Sequence, residues 1–236
     1  EKIDCQFHLS GRFSGAWRPE HYDSLAREAE LLNKNFDINA SMVLKADQHT
    51  EIGSNYYNGG MLRPDIGGLH PAQFHKGMVE RALASGAKIL PNTPVLGIRR
   101  ERRNHQVVTN RGTITARDVI VCTNGYTDNG IPWLRRRLVP VASQIIVTEK
   151  LESQLMDTLM PKQRMISESR HMGNYYRPSP DNTRIIFGGR TYGTHRPDQQ
   201  LPYHHLYRAL IQLFPQLEGI NISYVWWGFV AFPRQL

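Results

Sequence analysis

Few of the 236 residues have types and spacings that point to chemistry. Cys5 and Cys122 are the only thiols and lie far apart in sequence. Two thiols cannot build a disulfide framework, and free cysteines behave as small apolar residues, so both are expected to be buried and unpaired. No Cys-x-x-Cys or His-Glu-x-x-His spacing occurs among the scattered histidines. His204 and His205 are neighbours, which on a helix point about 100° apart and cannot easily share an ion. No metal site is expected. A Gly-x-Ser-x-Gly nucleophile elbow is also missing. The strongest local signal is Thr123-Asn124-Gly125, directly after the apolar run Val119-Ile120-Val121-Cys122. A glycine after a buried strand lets the main chain approach a ligand closely. Asn-Gly is equally consistent with a plain strand-ending turn.

The formal charge of +8 raises nucleic acid, a membrane surface or anionic ligands as partners. Much of it sits in two clusters: Arg99, Arg100, Arg102 and Arg103, then Arg135, Arg136 and Arg137. The first falls where two strands turn, so a solvated hairpin tip is expected. Neither cluster carries the interleaved aromatics that stack on bases, and nucleic acid is not an expected partner.

These residues must be positioned by elements that periodicity reveals. Pro19 suits a first helical turn. Tyr22, Leu25, Ala26, Ala29 and Leu32 recur at helical spacing over 20–33. Shorter helices are predicted at 44–51 and from Pro71, where Phe74, Met78, Ala82 and Leu83 share a side and Gly86 terminates. Short strands are predicted within the opening 1–17 and at 88–91 and 95–100. A hairpin over 107–109 and 113–116 and a buried strand at 118–123 follow. Beyond Pro140, strands at 141–149, 173–178, 184–189 and 223–232 accompany one helix at 201–214 with Leu206, Leu210 and Leu213 as its stripe. Asp181-Asn182 is the expected turn between two of them. The pattern implies an α/β (α+β) fold. No apolar run reaches the roughly 18 residues that cross a bilayer, and no leader-like start is visible, so a cytoplasmic address is expected.

Several stretches, in order, resemble one family. They are Leu69-His70-Pro71-Ala72-Gln73-Phe74, running on to Gly86-Ala87-Lys88-Ile89 and Thr93-Pro94-Val95, then Val119 to Tyr126, then Arg137-Leu138-Val139-Pro140-Val141. Tyr175-Tyr176-Arg177-Pro178, Ile186-Phe187-Gly188-Gly189-Arg190, Phe214-Pro215-Gln216-Leu217 and Trp226-Trp227-Gly228 complete the set. Together they resemble the FAD-dependent amine and amino-acid oxidases of the D-amino-acid-oxidase superfamily, nearest to its gamma-glutamylputrescine oxidase branch. The resemblance implies a remnant of a Rossmann-like FAD-binding domain at 70–127. An antiparallel-sheet substrate domain with flanking helices would be split over 1–69 and 128–236. The family's opening Gly-x-Gly-x-x-Gly turn, which seats the cofactor diphosphate, does not occur here, so the chain is expected to be partial.

The resemblance also assigns roles. FAD is the implied cofactor, with Val95, Thr123, Asn124 and Gly125 near it, although Val95 is equally consistent with a plain core residue. A small-molecule amine and oxygen are the implied partners. The implied reaction removes hydride from the amine-bearing carbon to flavin N5, after which water hydrolyses the imine and oxygen reoxidises the flavin. Tyr175 and Tyr176 match a substrate-facing aromatic position, and alternation lets only one of them face a pocket. Arg190 is placed to meet an acidic tail, although it is equally consistent with a plain surface arginine. Of Trp226 and Trp227, one would enter the core and the other, taken as Trp227, would border the cavity. Related oxidases place a carboxylate-clamping arginine after the Trp-x-Gly element, where this chain has Phe229, Val230 and Ala231. An amine without a carboxylate on its reacting carbon is therefore expected. A non-catalytic binding module of the same fold is the alternative.

Overall fold

A computed structural model describes residues 3–191, 195, 196 and 198–234. In chain order the strands are β1 (Arg12–Gly15), β2 (Ser41–Val43), β3 (Gly60–Arg63), β4 (Val95–Glu101), β5 (Asn104–Thr109) and β6 (Gly112–Ala116). Then come β7 (Leu138–Thr148), β8 (Met165–Glu168), β9 (Tyr175–Pro178), β10 (Ile185–Arg190) and β11 (Ile222–Pro233). The helices are α1 (Pro19–Asn35), α2 (Pro71–Ala84), α3 (Pro132–Arg135), α4 (Ser153–Leu159) and α5 (His204–Leu213). This mixture is the α/β (α+β) class expected from the sequence.

The chain forms two compact units. The larger holds Glu1–Val79, Gln144–Arg190 and Arg196–Trp227; the smaller holds Glu80–Ser143, Thr191–His195 and Gly228–Leu236. Strands β7 and β11 and helix α2 each run from one unit into the other.

In the larger unit the sheet order is β11-β7-β10-β9-β8-β1-β3-β2. Most pairs are antiparallel, but β1 and β8 run parallel, with Phe13 opposite Ile166 and Ser14 opposite Ser167. One face buries Phe13, Ile166, Tyr176, Ile185 and Phe187 beneath α4 and α5. Helix α5 supplies the predicted stripe of Leu206, Leu210 and Leu213, all buried. Each such side chain contributes about 1.5–3 kcal/mol by leaving water. On the β1–β3–β2 side, α1 lays Leu25 and Ala29 against Ala16, Ala40 and Met61. Pro19 opens α1 after an extended Arg18, as the spacing predicted.

The smaller unit contains the sheet β4-β5-β6. The arginine cluster does sit at the β4–β5 turn, where Arg102 adopts a positive φ of 51°. Several expectations are corrected. Residues 118–123 form no strand, and Ile120 is 87% exposed. A strand needs ladder partners, and among the described residues none pairs with this run. Apolar composition alone did not supply them. For the same reason Cys122, which lies in that run, is exposed, whereas Cys5 is buried as expected. Residues 88–91 are likewise not a strand. Helix α2 forms as predicted, but its apolar side is uncovered among the described residues: Phe74, Met78 and Leu83 are all exposed. The predicted helix at 44–51 is a tighter 3₁₀ turn at Lys45–Thr50.

Candidate functional site

Strands β9 and β10 decide which residues of the larger unit face outward. Their register sets Tyr175 opposite Gly188 and Tyr176 opposite Phe187. Alternation therefore splits the tyrosine pair, as expected. Tyr176 enters the core at 2% exposure, stacked on Phe187 with ring centroids 5.3 Å apart. Its hydroxyl lies 3.1 Å from that of Tyr57. Burial pushes both phenols well above their ordinary pKa; a nearby Glu168 adds to the shift at Tyr57, and Tyr57 adds to it at Tyr176. Both phenols are thus neutral hydrogen-bonding groups that hold each other.

Tyr175 lies on the opposite face, 40% exposed. Its ring covers Gly188 so closely that a Cβ there would stand 2.3 Å from it. Gly188 is thus required by close approach, not by backbone dihedral. Arg190, two residues on, shares that face, and its Nη1 lies 2.7 Å from the Met172 Sδ. Arg177 also shares it, opposite Ile186. The Arg177 guanidinium is half-buried, and burial alone lowers its pKa. Ser167, opposite Tyr175 on β8, extends the row to Ser14 of β1. The outward face thus brings Tyr175 and Arg190 together and leaves Tyr176 behind it.

The expected division of the two tryptophans does not appear, because Trp226 stays out of the core. Both Trp226 and Trp227 line one cavity of about 520 Å³ with Leu201, Tyr203 and Val225, and neither enters the core. The strand lies at the sheet edge, where a side chain has cover on fewer sides. The Trp227 indole donates to the Gln199 carbonyl at 2.8 Å.

In the smaller unit, Thr123-Asn124-Gly125 leads into a short 3₁₀ turn rather than ending a strand. Asn124 adopts a positive φ of 47° and its Oδ1 accepts from the Ala231 N–H at 2.7 Å. Gly125 packs against Phe229, which an added Cβ would meet at 2.5 Å. The Thr123 and Thr127 hydroxyls are 2.7 Å apart. Val95 begins β4, with a register irregularity before Gly97, and its carbonyl touches the place a Cβ of Gly130 would fill. The side chains of Thr123 and Asn124 are therefore engaged within their own unit.

Sequence reasoning missed Arg12, Ser14 and Ser167, which line a cavity of about 460 Å³ together with His21, Ser24 and Glu28. The signal was present: Arg12 and Ser14 alternate with Phe13 and Gly15, so a strand there splits them from the core. Among the described residues no group of three or more His, Cys, Asp or Glu side chains is arranged to hold a metal ion. Nor is any helix there long and apolar enough to cross a membrane.

Fold and sequence agree on a class. Residues 1–236 match the family described as FAD dependent oxidoreductase (DAO) over their whole length, and the chain belongs to that family. It is 28% identical over 229 residues to the gamma-glutamylputrescine oxidoreductase of Escherichia coli (strain K12), covering 96% of this chain and 53% of that protein. It is 29% identical over 236 residues to a probable oxidoreductase, OrdL, of Rhizobium meliloti (strain 1021), covering 99% of this chain and 54% of that one. The chain thus spans about half the length of these curated relatives. Among solved structures, glycine oxidase from Geobacillus kaustophilus superposes with a TM-score of 0.81 at 18% identity, over 98% of this chain and 61% of that one. L-Proline dehydrogenase from P. horikoshii gives 0.78 at 19% identity, over 96% and 62%. These two likenesses establish the fold.

Proposed function

We propose that this chain carries most of the substrate domain and part of the FAD-binding domain of an enzyme that oxidises an amine with the help of FAD. The observation that carries the reading is the family match along all 236 residues. The similarity to a gamma-glutamylputrescine oxidoreductase favours amines among the substrates open to the family.

The residues present do not make a diphosphate cradle. No Gly-x-Gly-x-x-Gly turn occurs, and the side chains of Thr123 and Asn124 are bonded within the smaller unit. In this reading the main chain of Val95 and of Thr123, Asn124 and Gly125 borders the cofactor within a nucleotide-binding part at 70–127. The segments 1–69 and 128–236 form the substrate part. When bound, flavin would supply the capacity to accept hydride, chemistry that side chains lack.

The larger unit then orients the substrate. Tyr175 presents a phenol and a ring edge on the outward face, while Tyr176 holds the strand from behind through Tyr57. Arg190 offers a fixed positive charge to an acidic tail, and Trp227 borders an apolar wall. The sequence after Gly228 carries no arginine up to Pro233, which favours amines whose reacting carbon bears no carboxylate. Purified full-length protein, supplied with FAD, is assayed for hydrogen peroxide over a panel of amines. Release with γ-glutamyl-diamines or N-methyl amines, and little with α-amino acids, is the expected result. Equal release from α-amino acids alone would overturn the substrate assignment.

A further inference from the structure

Arginine side chains that leave water normally find an anion, and in the larger unit Arg63, Arg164 and Arg170 do. Arg63 forks onto Asp65 through Nε at 3.1 Å and Nη2 at 2.6 Å. Arg164 pairs with Glu51 and donates to the Ser10 carbonyl. Arg170 pairs with Glu168. Arg12 does not follow this pattern. It stands beside Arg63 across the β1–β3 ladder, partly buried, and its buried Nε has no hydrogen-bond partner among the described residues. Among the described residues no carboxylate is found within ion-pair distance of it.

The cavity that Arg12 lines is rich in donors. Ser14 and Ser167 hydroxyls are 3.2 Å apart, so one of their two protons serves their mutual bond and the other is available. Ser169 accepts from the Trp17 N–H at 3.0 Å and shares a 2.6 Å hydrogen bond with His21 Nδ1. Of the acidic residues around the cavity, Glu168 gives one carboxylate oxygen to Arg170 and the Asn174 N–H while its other oxygen is buried without a partner among the described residues, and Glu28 stands on the α1 wall. Burial is the largest influence on the Arg12 pKa and lowers it, Arg63 lowers it further, and Glu28 compensates only in part. A partly desolvated cation beside one available hydroxyl proton is complementary to a carboxylate, which takes a guanidinium N–H and an O–H together.

We infer that the cavity between β1, β8 and α1 binds a small carboxylate, gripped by Arg12 and completed by the Ser14–Ser167 pair. The site lies wholly within the larger unit and does not depend on the flavin reading.

The test is a titration of ¹⁵N-labelled protein, observing arginine side-chain Nε–H signals, with glutarate as the probe at constant ionic strength. The expected result is a saturable shift of the Arg12 Nε–H signal. Arg12→Gln should weaken glutarate binding at least about tenfold, the scale of one charge-assisted hydrogen bond. Ser14→Ala, which keeps the charge, should weaken it by less. Putrescine, an amine without a carboxylate, should leave the signal in place. Absence of any shift, an equal shift with sodium chloride, or undiminished binding by a folded Arg12→Gln protein would each overturn the inference and leave a cavity filled by solvent alone.

Discussion

The hydroxyls of Tyr57 and Tyr176 meet 3.1 Å apart in the core of the larger unit, although 119 positions separate them in the chain. The pair joins the loop before β3 to the centre of β9. It thereby fixes the strand whose next outward residue is Tyr175.

Removing one hydroxyl strands the other without its partner. Tyr176→Phe or Tyr57→Phe should each cost about 1–3 kcal/mol, and the double variant should cost less than the sum of the two. A double-mutant cycle from urea denaturation checks this. The pH dependence follows in sign. Both phenols have folded-state pKa values raised above the ordinary one, so their contribution is complete below about pH 10. It is lost as pH rises beyond that, because the unfolded chain releases these protons first. Denaturation between pH 8 and about pH 12 should show the decline, and the double phenylalanine variant should flatten it.

Asn124 combines a positive φ with a bond to the Ala231 N–H. Asn124→Ala loses the bond and strains the backbone, so it should destabilise the smaller unit by about 1–3 kcal/mol. Asn124→Gly loses the bond but relieves the strain and should cost less. Hydrogen exchange at the Ala231 amide reads the difference: protection should fall in both variants.

The Arg164–Glu51 pair is largely buried, with side-chain exposures of 18% and 8%. Arg164→Met leaves a buried carboxylate without its counter-ion and should cost about 3–5 kcal/mol. Replacing both, as Arg164→Met with Glu51→Leu, should recover part of that loss. Equal stability of the single variant and the parent would contradict the assignment.

Gly188 lies under the Tyr175 ring. Gly188→Ala should push the ring outward at a cost of about 1 kcal/mol, because the clash falls on the mobile end of a side chain. In the proposed enzyme KM should rise more than kcat falls. Tyrosine-selective nitration of residue 175, followed by mass spectrometry, should be faster in the variant.

Much of this architecture could be read from periodicity. Leu206, Leu210 and Leu213 announced α5 and its buried side, and Tyr22, Leu25 and Ala29 announced α1. The parity rule separated Tyr175 from Tyr176, but which one turned inward depended on Tyr57, Phe187 and Phe214, all remote in sequence. The run at 118–123 shows the limit. Its apolar residues suit a buried strand, yet burial and pairing are supplied by neighbours, which composition does not reveal. Alternation sets Arg12 apart from the core, but it does not reveal what Arg12 faces. Its chemical interest lies in the absence of an acidic partner across the β1–β3 ladder, and that requires coordinates.

Amine oxidation assisted by FAD is tested by anaerobic mixing of the FAD-loaded full-length protein with a γ-glutamyl-diamine while the visible flavin absorbance is followed. Bleaching upon amine addition, and its return when air is admitted, is the predicted result. A flavin-loaded protein whose spectrum stays unchanged with every amine tried would contradict it.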